Sequence, residues 1–320
     1  MKKLAHPSEY HCLAAVSPDH QQLLFSGSTM KIYDSEVKHC IKSYRTVFND
    51  FDWSPDEHDI CMIRPDSRLR SEVVIAEWNG GLLNEKMRFQ LKDRYGDMRP
   101  YYVEDGKHVI VKTMHKIQAF NLENGSTEEI AHVDHTSFIS HMVLSRDMIF
   151  YIENHGYRKG KDVHAVSLTQ PDHAFHSELS AFLQLLGSKE DIEQYLYQFA
   201  TGDDERVILI SQGRETILHA FSTSNWAFTL QQKLLFPGMM VHMATSPDGK
   251  WLASTTMEII ESKTHYYLIV VDCKAMEPVY QQEAVSSGEL IFTAHSDQLY
   301  FDSLDGIYIL DVGVDFGPAA

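Results

Sequence analysis

The sequence lacks any hydrophobic run that could cross a membrane. None of its apolar stretches approaches the ~18 consecutive residues that a membrane-spanning helix needs. The opening segment MKKLAHPSEYHCL has two lysines, but not the apolar stretch of about 7–15 residues that follows them in a secretory signal peptide. We therefore expect a cytoplasmic protein that has no membrane partner.

Cysteine is scarce and widely spaced. The four cysteines form no CxxC pair, which is the spacing typical of cysteine-based metal and redox sites. We interpret them as free thiols in a reducing compartment, and disulfide pairing is the alternative if the chain is secreted. They are Cys12, Cys40, Cys61 and Cys273.

Motifs of known catalytic chemistry are also absent. The chain has no GxSxG, HExxH, GxGxxG, GxxxxGKS or GxxxxGKT pattern, so it offers no nucleophile elbow, zinc-protease helix or phosphate-binding loop. Its histidines approach carboxylates in two short groups, which we interpret as loop side chains: His132, Asp134 and His135, and Asp172, His173 and His176. The sequence thus predicts no catalytic residue, no metal site and no cofactor.

Positive charge is in deficit. The chain has 45 acidic and 28 basic residues and a formal net charge of −17. Nucleic acid is therefore a poor general partner, because its phosphates would be repelled by such a surface. A protein that is basic overall would be a better one, and solubility alone also explains the excess.

A short apolar segment ending in an acidic turn occurs seven times. In these turns Pro fixes one backbone dihedral, Ser and Asp side chains cap the turn, and Gly tolerates positive φ. Successive turn aspartates are 37 to 56 residues apart. A period in the forties with several short strands per unit predicts a β-propeller. The turn aspartates are Asp19, Asp56, Asp105, Asp147, Asp203, Asp248 and Asp297.

The spacing of the turns also predicts how the ring closes. The 23 residues after Asp297 and the 19 residues up to Asp19 together have the length of one repeat. We therefore predict an all-β, seven-bladed β-propeller that forms a single domain over residues 1–320. Strands from the N- and C-termini should complete the same blade, with the N-terminal one within about Lys3 to Cys12.

Two segments carry a resemblance to a known family. KIYDSEVKHCI and SPDGKWLAS resemble the third strand and the first turn of WD-repeat propellers. The chain departs from that family because no Gly-His pair opens its repeats and other pairs replace Trp-Asp. The resemblance implies a scaffold that binds other macromolecules rather than an enzyme. The replacing pairs are Tyr33-Asp34, Phe120-Asn121, Val271-Asp272 and Leu310-Asp311.

One segment interrupts the period of the repeat. Residues 177–199 lie in the longest interval between turns, and their apolar residues recur at helical spacing. We predict a helical insertion there, between blades four and five, which packs on the flank of the propeller or docks a partner. A first helix carries Leu179, Phe182, Leu183 and Leu186, and a second, starting near Ser188, carries Ile192, Tyr195, Leu196 and Phe199.

Two loops between second and third strands concentrate basic residues. Because equivalent loops share one face of a propeller, we predict a basic rim on an otherwise acidic body. It would bind an acidic segment or an anionic group of a partner protein, and the alternative is a pair of solvated loops. The candidate residues are Arg64, Arg68 and Arg70 in blade two, and Tyr157, Arg158, Lys159 and Lys161 in blade four.

Three functions from different classes fit these observations. The sequence favours a non-enzymatic scaffold that recognises another protein through loops on one face. The first alternative is an acidic inhibitor or immunity-type protein that neutralises a basic enzyme or toxin. The second is a metal-assisted hydrolase that uses the central channel, where His141 and His242 are candidate ligands.

Overall fold

The chain folds as a seven-bladed β-propeller, and every blade is a four-stranded antiparallel sheet. The computed structural model describes residues 1–5, 11–46, 48–65, 71–91, 98–156, 160–170, 172–186, 196–202, 206–212, 215–223, 226 and 228–316. Contacts along the chain define two compact units: Pro7–Ser140, and His141–Ala320 together with Met1–His6. The single domain over residues 1–320 stays a prediction.

Three complete blades follow one another between His11 and His132. The N-terminal strand β1 is Lys2–Leu4. Blade one contains β2 (His11–Val16), β3 (Gln22–Gly27), β4 (Met30–Asp34) and β5 (Cys40–Tyr44). Blade two contains β6 (Asn49–Trp53), β7 (Asp59–Pro65), β8 (Ser71–Asn79) and β9 (Leu82–Leu91). Blade three contains β10 (Arg99–Tyr102), β11 (His108–Lys112), β12 (Lys116–Asn121) and β13 (Thr127–His132).

The rest of the chain supplies four more blades and two short helices. Blade four contains β14 (Phe138–Ser145), β15 (Met148–Asn154), β16 (Lys161–Ser167) and β17 (Ala174–Glu178), followed by α1 (Leu179–Leu185). Blade five contains β18 (Leu196–Thr201), β19 (Arg206–Gln212), β20 (Glu215–Ser222) and β21 (Thr229–Pro237). Blade six contains β22 (Met239–Thr245), β23 (Trp251–Ile260), β24 (Lys263–Asp272) and β25 (Glu277–Ala284). Blade seven contains β26 (Glu289–Phe292), β27 (Gln298–Ser303), β28 (Gly306–Asp311) and β1, and α2 (Val312–Asp315) follows it.

Strands from both ends of the chain complete blade seven, as the spacing of the turns predicts. Strand β1 pairs antiparallel with β28, and Lys3 lies opposite Tyr308. The Lys3 ammonium also contacts the Asp305 carboxylate at 2.6 Å. The pairing is tight, because a Cβ atom on Gly306 would lie 2.7 Å from the Leu4 carbonyl oxygen. Strand β1 has three residues and is shorter than the predicted segment from Lys3 to Cys12. Part of that segment belongs to blade one, because β2 begins at His11.

Side-chain hydrogen bonds explain the repeated acidic turns. In blade one the Ser17 hydroxyl donates to Asp19 at 2.6 Å and accepts the backbone N–H of Gln22 at 2.9 Å. One side chain thus holds both sides of the turn, which explains why Ser is followed two residues later by Asp here. A hydroxyl donates to the turn aspartate at 2.6 Å in three further pairs: Ser54–Asp56, Ser246–Asp248 and Thr293–Asp297.

Asp or Asn at the end of a third strand caps the turn that follows. Asp34 accepts the backbone N–H groups of Lys38 and His39 at 2.8 and 3.0 Å. Asp272 and Asn121 accept two backbone N–H groups each in the same way. These local bonds account for the residue type at positions that resemble the WD-repeat pattern.

The helical insertion is shorter than predicted. Helix α1 lies between β17 and β18, and therefore between blades four and five. If the sheet that contains β1 is counted as the first blade, the same two blades are numbered five and six. The helix buries Leu179, Phe182 and Leu183 in the core of blades four and five, so it packs on the propeller. Leu185 on its other side is 57% exposed.

The predicted second helix is wrong where the structure describes it. Leu196 and Phe199 lie in β18, where Leu196 pairs with Gln212 and Phe199 with Leu209. Backbone pairing with β19 overrides the helical spacing of these residues. Strand β18 is the first strand of the four-stranded sheet of blade five. Ile192 and Tyr195 lie outside the described residues.

Both helices of the described part of the chain are short. Helix α1 has seven residues, and no helix there is long and apolar enough to cross a membrane.

Candidate functional site

The described residues of the predicted basic rim already have partners within the protein. Arg64 lies in β7, where its Nε donates to the Glu72 carboxylate at 2.7 Å and its Nη1 lies 3.4 Å from Glu85. The Arg64 side chain is 18% exposed. Its charge is therefore neutralised within blade two, and little of the guanidinium is accessible to a partner.

Lys161 of the rim begins β16 and faces blade five. Its ammonium lies 5.3 Å from the centre of the Tyr197 ring, a cation–π contact. Burial lowers the pKa of Lys161. The other five rim residues lie outside the described part of the chain, and the grouping of the seven as a binding surface stays a prediction: Arg68, Arg70, Tyr157, Arg158 and Lys159.

Blade six carries a β-hairpin that extends past its neighbouring strands. Pairing with β22 ends where Met239 meets Met257, and pairing with β25 ends at Tyr266. Residues 258–265 continue as a two-stranded hairpin beyond both. Its turn residues Glu261 and Ser262 have φ angles of 49° and 65°, as a two-residue hairpin turn of type I′ requires.

One face of this hairpin presents apolar side chains to solvent. Met239, Met257 and Tyr266 lie opposite one another across three strands, so their side chains share a face. Ile259, two residues beyond Met257 on the same face, is 72% exposed. We call these four residues the blade-six apolar row.

The blade-six apolar row is continuous with the core. Ala253 and Leu268 lie on the same face of blade six and pack with Phe301 of blade seven. Along the strands that face changes from buried core to exposed surface, with the buried Thr255 between Ala253 and Met257. Met and aromatic side chains exposed in this way are typical of protein-binding surfaces. The apolar residues of β23 and β24 are visible in the sequence, but their exposure is not.

A second feature is a cluster of imidazoles and carboxylates on one face of blade four. Strand register places Glu153 opposite Asp162 and His164 opposite His176, so all four side chains share a face. His155 follows two residues after Glu153 and joins the same group. We call these five residues the blade-four cluster. The opposite face of the same strands carries Phe150, Ile152, Val163 and Ala165 into the core.

Asp162 is at the centre of the blade-four cluster. Its Oδ2 atom lies 2.9 Å from His176 Nε2 and 3.0 Å from His155 Nε2. Glu153 lies on the other side, 3.1 Å from His164 Nε2 and 3.4 Å from His155 Nδ1. Burial acts to raise the pKa of Asp162, but the hydrogen bonds from His176 and His155 outweigh it and hold that pKa below its usual value.

His164 is the most enclosed imidazole of the cluster. Its ring stacks on Tyr151, with 4.5 Å between ring centres and an interplanar angle of 1°, and lies 4.7 Å from the His176 ring. Burial lowers the pKa of His164, and the charge of His176 lowers it further. Its Nε2 atom is buried and lies 3.1 Å from the Glu153 carboxylate.

The sequence pointed to only one member of this cluster. Proximity along the chain groups His176 with Asp172 and His173, whereas strand register groups it with Asp162 and His164. Neither of the two sequence groups forms a potential metal cluster among the described residues. The sequence signal for this site is the alternation of polar and other side chains in ENH (153–155), KDVH (161–164) and AFH (174–176). It identifies the cluster only when these strands are paired in register.

The fold defines the class of protein: a seven-bladed β-propeller, similar in fold to WD40-repeat propellers. No protein family and no curated protein matches the chain in sequence. Among solved structures, hydrazine synthase from Kuenenia stuttgartiensis has a TM-score of 0.64 and 10% identity, with 98% of each chain covered. The WD40 repeats of RRP9 have a TM-score of 0.64 and 10% identity, with 97% of this chain and 96% of that chain covered. U3-55K has a TM-score of 0.63 and 10% identity, with 97% and 98% covered.

At 10% identity these likenesses show the fold alone. The named structures include a synthase and a set of WD40 repeats, so the same architecture carries different functions. Function has to be argued from the surfaces of this chain.

Proposed function

We propose that this protein is a non-enzymatic scaffold that binds another protein through the turns between the second and third strands of its blades. The observation that carries the proposal is the blade-six apolar row. Ile259 is 72% exposed on a hairpin that no neighbouring strand of its blade covers. A rigid hairpin loses little conformational entropy when it binds, and its Met and Tyr side chains suit the core of an interface.

The distribution of charge along the sequence supports a protein partner with mixed chemistry. The chain has a net charge of −17, whereas the second-to-third-strand loops of blades two and four are rich in Arg and Lys. An apolar anchor would supply most of the affinity, and basic loops would select a partner that presents an acidic segment.

The test uses the tagged protein in its native lysate, with quantitative mass spectrometry of what is recovered. The variant Ile259→Asp places a charge at the centre of the proposed contact. We expect it to weaken recovery of a stoichiometric partner by about 30-fold or more, which is the effect of losing one interface hot spot. Val314→Asp is the matched control, because Val314 is 77% exposed on α2, away from the hairpin.

Two further arms separate the possible outcomes. Charge reversal of Arg68, Arg70, Arg158 and Lys159 tests the basic loops, and unchanged recovery would remove them from the proposal. Binding that falls steeply with salt, and that Ile259→Asp leaves intact, would favour the acidic inhibitor instead. A protein that is recovered without any stoichiometric partner would contradict the scaffold function.

A further inference from the structure

We propose that blade four binds a zinc ion through Asp162, His164 and His176. Each of these residues presents one donor atom within 4.8 Å of the donor atoms of the other two. They come from two adjacent strands whose register is continuous, so the backbone holds them in place. The site is independent of the blade-six apolar row and of the proposed scaffold function.

The spacing of the donor atoms fits a small tetrahedral ion. Zinc–nitrogen and zinc–oxygen bonds of about 2.0–2.1 Å place neighbouring ligand atoms about 3.3 Å apart. The Asp162 Oδ2 to His176 Nε2 distance is 2.9 Å. Small side-chain rotations would bring the third ligand, His164, to the same spacing.

The donor set selects the class of metal. Two imidazoles and one carboxylate suit zinc and its first-row neighbours, whereas calcium and magnesium prefer sites built from oxygen alone. Three protein ligands leave a fourth position open, as in many zinc sites. Zinc is the probe of choice because it is redox-inactive and accepts tetrahedral geometry without strain.

His164 is held in position by its neighbours, which prepares it to act as a ligand. Its ring stacks on Tyr151 with 4.5 Å between ring centres and lies 4.7 Å from the His176 ring. The His164 side chain is 17% exposed, and its Nε2 atom lies 3.1 Å from the Glu153 carboxylate. Little side-chain freedom is therefore lost when this imidazole binds an ion.

The rest of the blade-four cluster fits the role of outer partners. Carboxylates that bind metals commonly accept a hydrogen bond from an outer group that orients them. His155 Nε2 lies 3.0 Å from Asp162, and Glu153 lies 3.4 Å from His155 Nδ1 and 3.1 Å from His164 Nε2. The ion would also tie the outer strand β17 to β16, immediately before α1.

Zinc binding to the whole purified chain tests the proposal. After treatment with a chelator and its removal, zinc is titrated in by calorimetry, and the bound metal is measured by elemental analysis. We expect one zinc per chain at this site and a rise in melting temperature on binding. Cobalt in place of zinc should give the visible absorption bands of a four-coordinate ion.

Substitutions identify the ligands. His176→Ala is the main variant, because the His176 side chain is 59% exposed and the fold does not depend on it. We expect this variant and His164→Asn to weaken zinc binding by more than the ~10–100-fold that loss of an outer partner causes. His265→Ala is the matched control, since His265 contacts Glu283 at 3.3 Å but belongs to no potential metal cluster of the described residues.

Three results would overturn the proposal. The first is the absence of stoichiometric zinc binding by the unaltered chain. The second is an affinity in His176→Ala equal to that of the control. The third is loss of binding in Glu153→Gln and His155→Ala with binding retained in His164→Asn and His176→Ala, since the ion would then occupy the other half of the cluster.

Discussion

The substitution Phe182→Ala tests whether helix α1 is part of the core of blades four and five. Phe182 is fully buried in a cluster of aromatic rings. Its ring centre lies 5.3 Å from that of Phe221 and 5.8 Å from that of Phe228. A third ring, Phe175 of β17, lies 5.8 Å away. The helix therefore contributes a central side chain to the packing rather than covering the surface.

The structure sets the expected size of the effect. Truncating a buried Phe to Ala costs about 3–5 kcal/mol, because apolar burial is lost and a cavity remains. Favourable ring–ring geometry adds about 0.5–1.5 kcal/mol for a pair. With three neighbouring rings that cannot move into the space without disturbing β17, β20 or the following loop, we expect a loss of about 4 kcal/mol in the free energy of unfolding.

Urea unfolding followed by circular dichroism measures this loss. The matched control is Leu185→Ala, in the same helix and of similar helix propensity, because Leu185 is 57% exposed. We expect the control to change stability by no more than about 0.5 kcal/mol. A loss below about 1 kcal/mol for Phe182→Ala, or equal losses for both variants, would refute the placement of α1 in the core.

Two further substitutions test burial and backbone packing. Burial raises the pKa of Asp52 to about 7. The folded state therefore keeps a proton that the unfolded chain releases near pH 4. The free energy of unfolding should fall by up to ~4 kcal/mol as the pH rises from about 4 to about 7. Asp52→Asn should remove that fall in urea midpoints measured at pH 5 and pH 8, and an unchanged pH dependence would contradict the assignment. Gly288→Ala should destabilise the protein by at least ~3 kcal/mol in the same assay, because its Cβ would lie 1.6 Å from the Asp302 carbonyl oxygen. Gly313→Ala is the control, since its Cβ would meet nothing nearer than 3.6 Å, and equal effects of the two changes would refute the clash.

The fold could be predicted because its signals are local. The bond from Ser17 to Asp19 and the capping of residues 38 and 39 by Asp34 each lie within a few residues of sequence. Such bonds require particular residue types at particular spacings, so the repeat is visible without knowledge of which strands pair. The spacing of these turns also predicts that the two termini share one blade, because the segments before Asp19 and after Asp297 together have the length of one repeat.

The prediction of a second helix in the insertion is wrong because strand pairing overrides the local helical spacing. Leu196 and Phe199 are three residues apart, which fits a helix. The sequence has no turn motif that marks the start of β18. In the structure Leu196 is 52% exposed whereas Phe199 is 2% exposed, so the two residues do not share a buried helical face. Pairing with β19, which is apolar from Val207 to Ile210, decides the conformation.

The blade-four cluster depends on register, which local patterns do not supply. Its carboxylates and imidazoles come from three strands, and proximity along the chain associates His176 with the wrong neighbours. The register is nevertheless determined by apolar residues: Ile152 lies opposite Val163 in the core. Because side chains alternate between the faces of a strand, this core pairing necessarily places Glu153 opposite Asp162 on the other face. The residues that stabilise blade four therefore also assemble its polar cluster, and a change of register by one residue would disrupt both together.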